Sequence, residues 1–229
     1  MNPVTLNLLA ISVFAFTLLS LAGPLLNISP GAVAVMVSGC AGLVAIDRFA
    51  AKGRGGNLLI DLISRQSSEY RQRVLHHEAG HFLVAHLLGI PVQSYTLSAW
   101  EATKAGLPGL GGVVFDTAAV EADLAAGELT PQQINHYCIV WMAGIAAETQ
   151  EYGDAQGGQD DQLKLQTLYR QTAKASPTLA QMNTQLRWAL LQAQTLLQQQ
   201  EEAYQALVKA MAARETVAEC QQQIEAARV

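Results

Sequence analysis

The sequence predicts a mostly α-helical protein: an N-terminal two-helix transmembrane hairpin, followed by a helical domain with a small β-sheet and a long C-terminal helix. Half of the 229 residues are hydrophobic and only 14% are charged, whereas roughly 25% is usual in soluble proteins. The shortage of charge is uneven, because two long uncharged runs lie near the N-terminus. Most of the remaining chain has the apolar patterning of helices, with glycine or proline where they end.

Residues 1–49 are predicted to form the hairpin. No charged side chain occurs from Val4 to Leu26, a run long enough for a bilayer-crossing helix of about 20 residues. The second uncharged run, Pro30 to Ile46, is at the short limit of a span, and the "GPLLNISP" between the runs is typical of a tight turn. The alternative is a cleaved signal peptide followed by a buried core helix, but no Lys or Arg precedes the first run.

The charge distribution and the cysteines indicate which partners and which cellular compartment are expected. Arg48, Lys52 and Arg54 follow the second run while the predicted turn has no basic residue, so the positive-inside rule places the soluble part on the cytoplasmic side. A net charge of −5 offers no basic surface, and we therefore expect no nucleic acid partner. The three cysteines form no CxxC pair, which suits a reducing compartment.

The soluble part is predicted to follow a glycine-rich, basic linker over residues 50–68. We expect one domain over residues 69–217 and a helical tail over residues 218–229. The predicted elements are a helix from Glu69 to Leu88, a β-rich stretch from Pro91 to Trp100, a strand from Val113 to Phe115, a helix from Pro131 to Gly153, a helix opened by Asp160 or Asp161, and one long helix after Pro177.

The predicted long C-terminal helix carries an apolar stripe. Its members follow a 4-3 spacing and are Leu186, Leu190, Ala193, Leu197, Tyr204, Leu207 and Met211. Such a stripe either packs on its own domain or forms a coiled coil with a partner. The first arrangement is the commoner one, and we expect it here.

The stretch "VLHHEAGHFLVAHLL" contains the pattern H-E-x-x-H within an apolar helix. On a helix His77 and His81 lie one turn apart on the same face, so both imidazoles can reach one ion. Zinc accepts imidazole nitrogens in tetrahedral geometry, and a catalytic site keeps one position for water. Glu78, next to the first histidine, would take a proton from that water and pass it to a leaving amine. The pattern therefore predicts a catalytic zinc site.

The alternative for this helix is two histidines packed or hydrogen-bonded in a core, with Glu78 facing solvent. A chance match to so short a pattern arises in roughly one chain per hundred of this length. Gly80, inside the helix, costs about 1 kcal/mol relative to alanine. That cost favours a position at which another segment of the chain must approach closely.

Two histidines and one water leave a zinc position without a ligand. Carboxylates are suitable ligands, and four of them lie further along the chain, namely Glu148, Asp154, Asp160 and Asp161. Spacing alone does not choose among them.

Four motifs in order extend the pattern along the chain: "HHEAGHFLVAHLLGIPV", "GLGGVVF", "WMAGIAAET" and "YGDAQGGQDDQLKLQT". The part of the chain that contains them, residues 69–217, resembles the proteolytic domain of the FtsH-type membrane-bound zinc metalloproteases. The resemblance implies a mostly helical fold with a small sheet, zinc as the cofactor, and protein or peptide substrates.

The resemblance also implies roles for residues outside the first motif. It makes Asp161 the third zinc ligand, and it makes Glu148 the group that holds a ligand histidine. It further implies that an extended substrate peptide adds to a strand edge. That edge strand contains Gly112, Val113 and Val114.

The chain departs from the family pattern in one large respect. It has no G-x-x-x-x-G-K-[ST] motif, and the segment between Ile46 and Glu69 is too short for an ATPase module. Ile145 and Asp160 replace the family's arginine and asparagine, which changes the surroundings of the site more than the ligand set. We therefore expect the chain to keep zinc-dependent peptide hydrolysis and to lack ATP-driven unfolding and delivery of substrates.

Two functions follow from these observations. The first is a membrane-anchored zinc endopeptidase that cleaves flexible or unfolded segments, alone, as a homo-oligomer, or with ATPase-bearing relatives. The second is a non-proteolytic membrane scaffold or partner of such relatives. The absence of an ATPase module and the Gln/Ala-rich C-terminal region suggest it. The His77, Glu78 and His81 set favours the first, because a scaffold has no physical need for it.

Overall fold

The computed structural model describes residues 3–49, 67–106, 112–172 and 177–228. Most of the predicted linker, residues 50–66, lies outside the described residues. The helices are α1 (Pro3–Ala22), α2 (Pro30–Phe49), α3 (Ser68–Leu87), α4 (Ala99–Lys104), α5 (Ala118–Ala126), α6 (Pro131–Tyr152), α7 (Gln159–Thr172), α8 (Leu179–Gln199), α9 (Glu201–Ala212) and α10 (Val217–Ala227), and the strands are β1 (Val92–Thr96) and β2 (Gly112–Phe115). The prediction of a mostly helical fold with a small sheet is confirmed.

The protein divides into two compact units. One contains Met1–Ser68 and Ser98–Leu110, and the other contains Glu69–Leu97 and Gly111–Val229. Helices α1, α2 and α4 therefore belong to the first unit, and the remaining helices and both strands belong to the second.

In the first unit, α1 and α2 are joined by a 3-10 turn over Gly23–Leu26. Asn27 ends the turn in the left-handed conformation, at φ 57°, and the Ile28 N–H donates to the Gly23 carbonyl at 2.8 Å. Asparagine is one of the few residues that tolerate this conformation without the freedom of glycine. The predicted turn between the two apolar runs is therefore present.

One apolar stretch in the first unit is long and apolar enough to cross a membrane, judged by length and composition. It is Leu9–Leu26, and only 6% of it is buried within the protein. The apolar part of α2, Pro30–Ile46, falls short of the about 20 residues that a straight span needs. Large side chains such as Phe14 and Leu21 are exposed, at 68% and 75%.

The packing of α3 against α6 is the part of the second unit's core that positions the site. Every residue from Leu75 to Ala85 on α3 is buried. A methyl group on Gly80 would lie only 2.5 Å from the carbonyl oxygen of Ala143 and 2.7 Å from the Cβ atom of Ala147, both on α6. The expectation that Gly80 allows close approach of another segment is confirmed, because no larger residue fits between these helices.

Helix α6 has clear signals at both ends. The Thr130 hydroxyl accepts from the Gln133 N–H at 3.2 Å while the Gln133 side chain accepts from the Thr130 N–H at 2.9 Å, a capping box. Pro131 occupies the first turn, where its missing N–H costs nothing. Gly153 ends the helix with φ 80°, close to the predicted end.

The sheet is a single antiparallel pair. Thr96 lies opposite Gly112 and Tyr95 opposite Val113, with an irregularity in register near Val92. The β-rich stretch predicted from Pro91 to Trp100 is too long: β1 ends at Thr96, and Ser98 caps α4 by accepting from the Glu101 N–H at 3.2 Å. Serine three residues before glutamate is a helix-start signal, and it overrides the predicted β character of Ala99 and Trp100.

The predicted single long C-terminal helix is wrong, because the chain forms α8, α9 and α10 instead. Gln200 leaves the helical conformation, at φ −118° and ψ 37°, and separates α8 from α9. Arg214 takes a positive φ of 63°, after which Thr216 and Glu219 form a capping box that starts α10. No proline or glycine marks either break, so apolar patterning alone did not show them.

The apolar stripe of α8 and α9 packs on its own domain, as expected. Ala193, Leu197, Tyr204, Leu207 and Met211 are buried in the core, and the two remaining leucines pack against it. Helix α10, which covers most of the predicted tail, adds the buried side chains Cys220 and Ile224 to the same core.

Candidate metal centre

Three side chains from two helices of the second unit converge on one buried point. His77 and His81 lie one turn apart on α3, and Asp161 lies in the first turn of α7. The two Nε2 atoms are 3.1 Å apart, and each lies 3.3 Å from the Oδ2 atom of Asp161. All three residues are buried, so this group could hold a metal ion.

The spacing of the three atoms fits a tetrahedral ion. The edge of a tetrahedron is about 1.6 times the distance from its centre to a vertex, so zinc bonds of about 2.0–2.1 Å require ligand atoms about 3.3–3.4 Å apart. The separations of 3.1, 3.3 and 3.3 Å form one nearly equilateral face of that size. The fourth vertex is left for water or substrate.

The partners of the outer ring nitrogens determine which nitrogen of each histidine carries a proton. The Nδ1 atom of His81 lies 2.7 Å from the Val140 carbonyl oxygen and must donate to it. The Nδ1 atom of His77 lies 2.7 Å from the Oε1 atom of Glu148 and donates there. Both Nε2 lone pairs therefore face each other and a carboxylate oxygen, an arrangement that only a proton or a cation between them can stabilise.

A proton and a metal ion compete for this point. Burial alone lowers the pKa of His77, but its hydrogen bonds to Asp161 and Glu148 outweigh burial and raise that pKa to about 10. Burial likewise opposes ionisation of Asp161, yet His81 and His77 more than reverse this and hold the pKa of the carboxyl well below its usual range. The carboxylate is therefore ionised and the site attracts a cation.

Glu148 fixes His77 from behind. Besides the His77 ring, it accepts the Gln156 N–H at 2.9 Å and the Gly157 N–H at 3.3 Å. Burial raises the pKa of Glu148, but the hydrogen bonds from His77 and the two backbone groups reverse this and lower it. A methyl group on Gly157 would lie 2.8 Å from Oε1, so glycine lets the loop between α6 and α7 approach the carboxylate.

Glu78 lies between the two histidines in sequence and is 7% exposed. Its Oε2 atom is buried and has no hydrogen-bond partner. Burial raises the pKa of Glu78, against the lowering effect of the nearby histidines. A carboxylate with a raised pKa is a better proton acceptor near neutral pH.

The structure distinguishes the four carboxylates that the sequence left as candidates for the third metal ligand. Asp161 alone joins the two histidines, while Glu148 contacts the far side of the His77 ring. Asp154 is 62% exposed and pairs with Arg73 at 2.9 Å, and Asp160 is exposed.

Sequence reasoning missed four contributors to the site. Gly144 leaves space for the His77 ring, since a methyl group there would lie 2.5 Å from its Cε1 atom. Lys164 donates to the Oδ1 atom of Asp161 at 2.9 Å, and its spacing of three residues on a helix was a usable signal. No sequence signal identifies the carbonyl of Val140 or the ion pair of Arg73.

The sequence also singles out Ile145 and the strand that contains Gly112, Val113 and Val114. The side chain of Ile145 fills the space that a Cβ atom on Gly158 would need. Ile145 therefore makes an apolar contact with the loop before α7. Strand β2 contains Gly112, Val113 and Val114 and, within the described ranges, has β1 as its only strand neighbour.

No family model matches the chain, and no curated protein matches it.

Proposed function

We propose that the chain is a membrane-anchored zinc endopeptidase, similar to the FtsH-type proteases, that cleaves flexible or unfolded protein segments without ATPase activity of its own. One observation carries the proposal. The Nε2 atoms of His77 and His81 and the Oδ2 atom of Asp161 form a tetrahedral face, and the next residue after His77, Glu78, has a buried Oε2 atom without a hydrogen-bond partner. A packed, purely structural pair of histidines needs neither that face nor that carboxylate.

The donor set supports zinc as the ion. Two imidazoles and one carboxylate with a fourth position open is a ligand set of catalytic zinc sites, whereas magnesium and calcium prefer six or more oxygen ligands. The hydrogen bonds that orient both imidazoles from behind are also typical of zinc sites. His77, His81 and Asp161 would hold the ion.

Zinc held by His77, His81 and Asp161 would lower the pKa of a coordinated water from 15.7 to about 7. The Oε2 atom of Glu78, which is buried without a hydrogen-bond partner, would accept a proton from the attacking water. As the water oxygen bonds to the scissile carbonyl carbon and the peptide C–N bond breaks, Glu78 would pass that proton to the leaving nitrogen.

The first unit supports anchoring in a membrane. The side chains of the Leu9–Leu26 stretch are mostly exposed, and an exposed apolar helix of this length needs a lipid or protein environment. We propose that α1 and α2 form a two-helix transmembrane hairpin, with α2 tilting little because it is short. The basic residues Arg48, Lys52 and Arg54, at and just after the end of α2 in sequence, support a cytoplasmic side for the catalytic domain.

Strand β2 supports peptide binding by strand addition. Its backbone would pair with an extended substrate segment, which gives affinity with little dependence on sequence. Such pairing requires a substrate that is already unfolded, because the chain has no ATPase motif. Association with ATPase-bearing relatives would extend the substrates to proteins that must first be unfolded.

The test uses the full chain in detergent micelles, with metal content and casein cleavage as readouts. We expect about one zinc per chain and cleavage that chelation abolishes and zinc restores. Glu78→Gln should keep the zinc and lose cleavage by about 10²- to 10⁴-fold, since only the proton acceptor is removed. Glu151→Gln, an exposed glutamate on α6, is the matched control and should cleave like the parent.

Two results would contradict the proposal. Full cleavage by the Glu78→Gln variant would exclude the assigned chemistry. A parent chain that binds zinc, cleaves neither casein nor short peptides, and copurifies with an ATPase-bearing relative would instead support the scaffold.

A further inference from the structure

We infer that Lys164 is a positioning residue that makes Asp161 a one-oxygen ligand and thereby keeps the metal site four-coordinate. This inference rests on the proposed metal site and goes beyond it, because it concerns which ions the site accepts. Lys164 touches neither substrate nor metal in this role; it acts through the carboxylate of Asp161.

The two oxygens of Asp161 face different partners. Oδ2 lies 3.3 Å from the Nε2 atoms of both His77 and His81. Oδ1 accepts a hydrogen bond from the Nζ atom of Lys164 at 2.9 Å. Both residues lie on α7 three positions apart, a spacing that makes their side chains neighbours on the helix surface.

A free carboxylate can turn to offer both oxygens to one ion. Such bidentate binding is common for ions with high coordination numbers, and here it would occupy the position that a tetrahedral site leaves for water. Among the described residues, only Lys164 bonds to Oδ1, whereas Oδ2 has only the two histidines. Removal of the ammonium therefore leaves Oδ1 free to turn toward the ion.

An ordinary surface ion pair is the simpler explanation, and the surroundings argue against it. The side chain of Asp161 is only 11% exposed, while that of Lys164 is 56% exposed, so the pair joins a buried ligand to a solvated cation. A positive charge this close to a bound dication opposes metal binding by repulsion. Orientation of the carboxylate and charge repulsion predict opposite changes in zinc affinity when Lys164 is replaced.

The test measures cobalt(II) coordination and zinc affinity in the full chain in detergent. Cobalt(II) in a tetrahedral site absorbs visible light far more strongly than in a five- or six-coordinate site. We expect strong absorption from the parent, and from Lys164→Met a weakened, shifted spectrum with zinc affinity about 10-fold lower, in the range typical of outer partners of metal ligands. Lys164→Arg keeps a donor and should retain the strong absorption.

Lys209→Met, on the exposed face of α9, is the matched control and should behave like the parent. Unchanged cobalt absorption in Lys164→Met, with equal or tighter zinc binding, would overturn the positioning role while leaving the proposed function intact. A parent chain that binds neither ion would overturn the metal site itself and this role with it. Because Lys164 is half-exposed, loss of fold is not expected to obscure the result.

Discussion

The two halves of the candidate metal centre are held in different ways. The histidine half belongs to α3, whose residues from Leu75 to Ala85 are all buried and which packs tightly on α6 at Gly80. The aspartate half belongs to α7, where only Asp161, Leu165 and Leu168 are buried. One half is fixed by core packing, and the other depends on hydrogen bonds and ion pairs in a loop and a half-exposed helix.

This difference has a physical consequence for the order of assembly. Close packing of apolar side chains does not require an ion, and the interior around α3 is as rigid as a crystal of small molecules. Polar contacts at the surface are individually weak and open locally. We therefore expect the histidine half to be preformed and the aspartate half to close onto the ion, so damage to the first half should cost more.

We expect the largest loss of zinc affinity from Gly144→Ala, which disturbs the histidine half of the site. The added methyl group would lie 2.5 Å from the Cε1 atom of His77 and must displace the ring. We expect zinc affinity to fall by at least about 100-fold, because a ligand moves rather than one of its supports. Overpacking, offset in part by alanine's better helix propensity, should lower the free energy of unfolding by about 1–2 kcal/mol.

Gly112→Ala is the matched control for that substitution. An added methyl group at Gly112 meets no atom within 4 Å, and the variant should keep both zinc and stability. Zinc affinity is measured by competition with a chromophoric chelator, and stability by denaturant unfolding. Parent-like zinc binding in Gly144→Ala would show that the His77 ring position is not needed for the site.

We expect an intermediate loss of zinc affinity from Glu148→Gln. Glu148 contacts both halves of the site, because it bonds to His77 and to the loop before α7. The new NH2 group replaces either Oε1, where it faces the Nδ1–H of His77 and the Gly157 N–H, or Oε2, where it faces the Gln156 N–H. In both orientations a donor faces a donor. Zinc affinity should fall about 10- to 100-fold with little change in fold. The exposed Glu151→Gln on the same helix controls for loss of charge and should bind like the parent.

The histidine half was predictable from local sequence, and the reason is geometric. Two histidines four apart share a helix face whatever the tertiary structure, and a glycine in the middle of a helix signals close packing. The ends of α3 and α6 were also close to prediction, because Gly89 and the Thr130-Pro131 pair act locally.

The aspartate half was not predictable by spacing, because Asp161 lies 84 residues after His77. Only folding decides which of several carboxylates reaches the ion, and the choice of Asp161 came from a family resemblance. The single long C-terminal helix failed for a related reason. Gln200 and Arg214 adopt non-helical conformations that tertiary packing imposes and that neither residue type announces.

The smallest effect is expected from Asp154→Asn, at the edge of the aspartate half. Asp154 binds Arg73 at 2.9 Å, and Arg73 also lies 3.8 Å from Glu148 and stacks 4.4 Å from the ring of Tyr152, so this ion pair ties the loop before α7 to α3. The carboxylate of Asp154 is 62% exposed, and an exposed pair contributes about 0–1 kcal/mol.

That range limits the loss of zinc affinity to about fivefold. If the loop closes onto the ion, the variant should release zinc faster while its binding rate stays near that of the parent, and added salt should reduce the difference between them. Zinc transfer to a chromophoric chelator measures the release rate. Glu128→Gln, an exposed glutamate in the loop before α6, is the control. A loss as large as that of Gly144→Ala would show that both halves are equally rigid, and the comparison between them would fail.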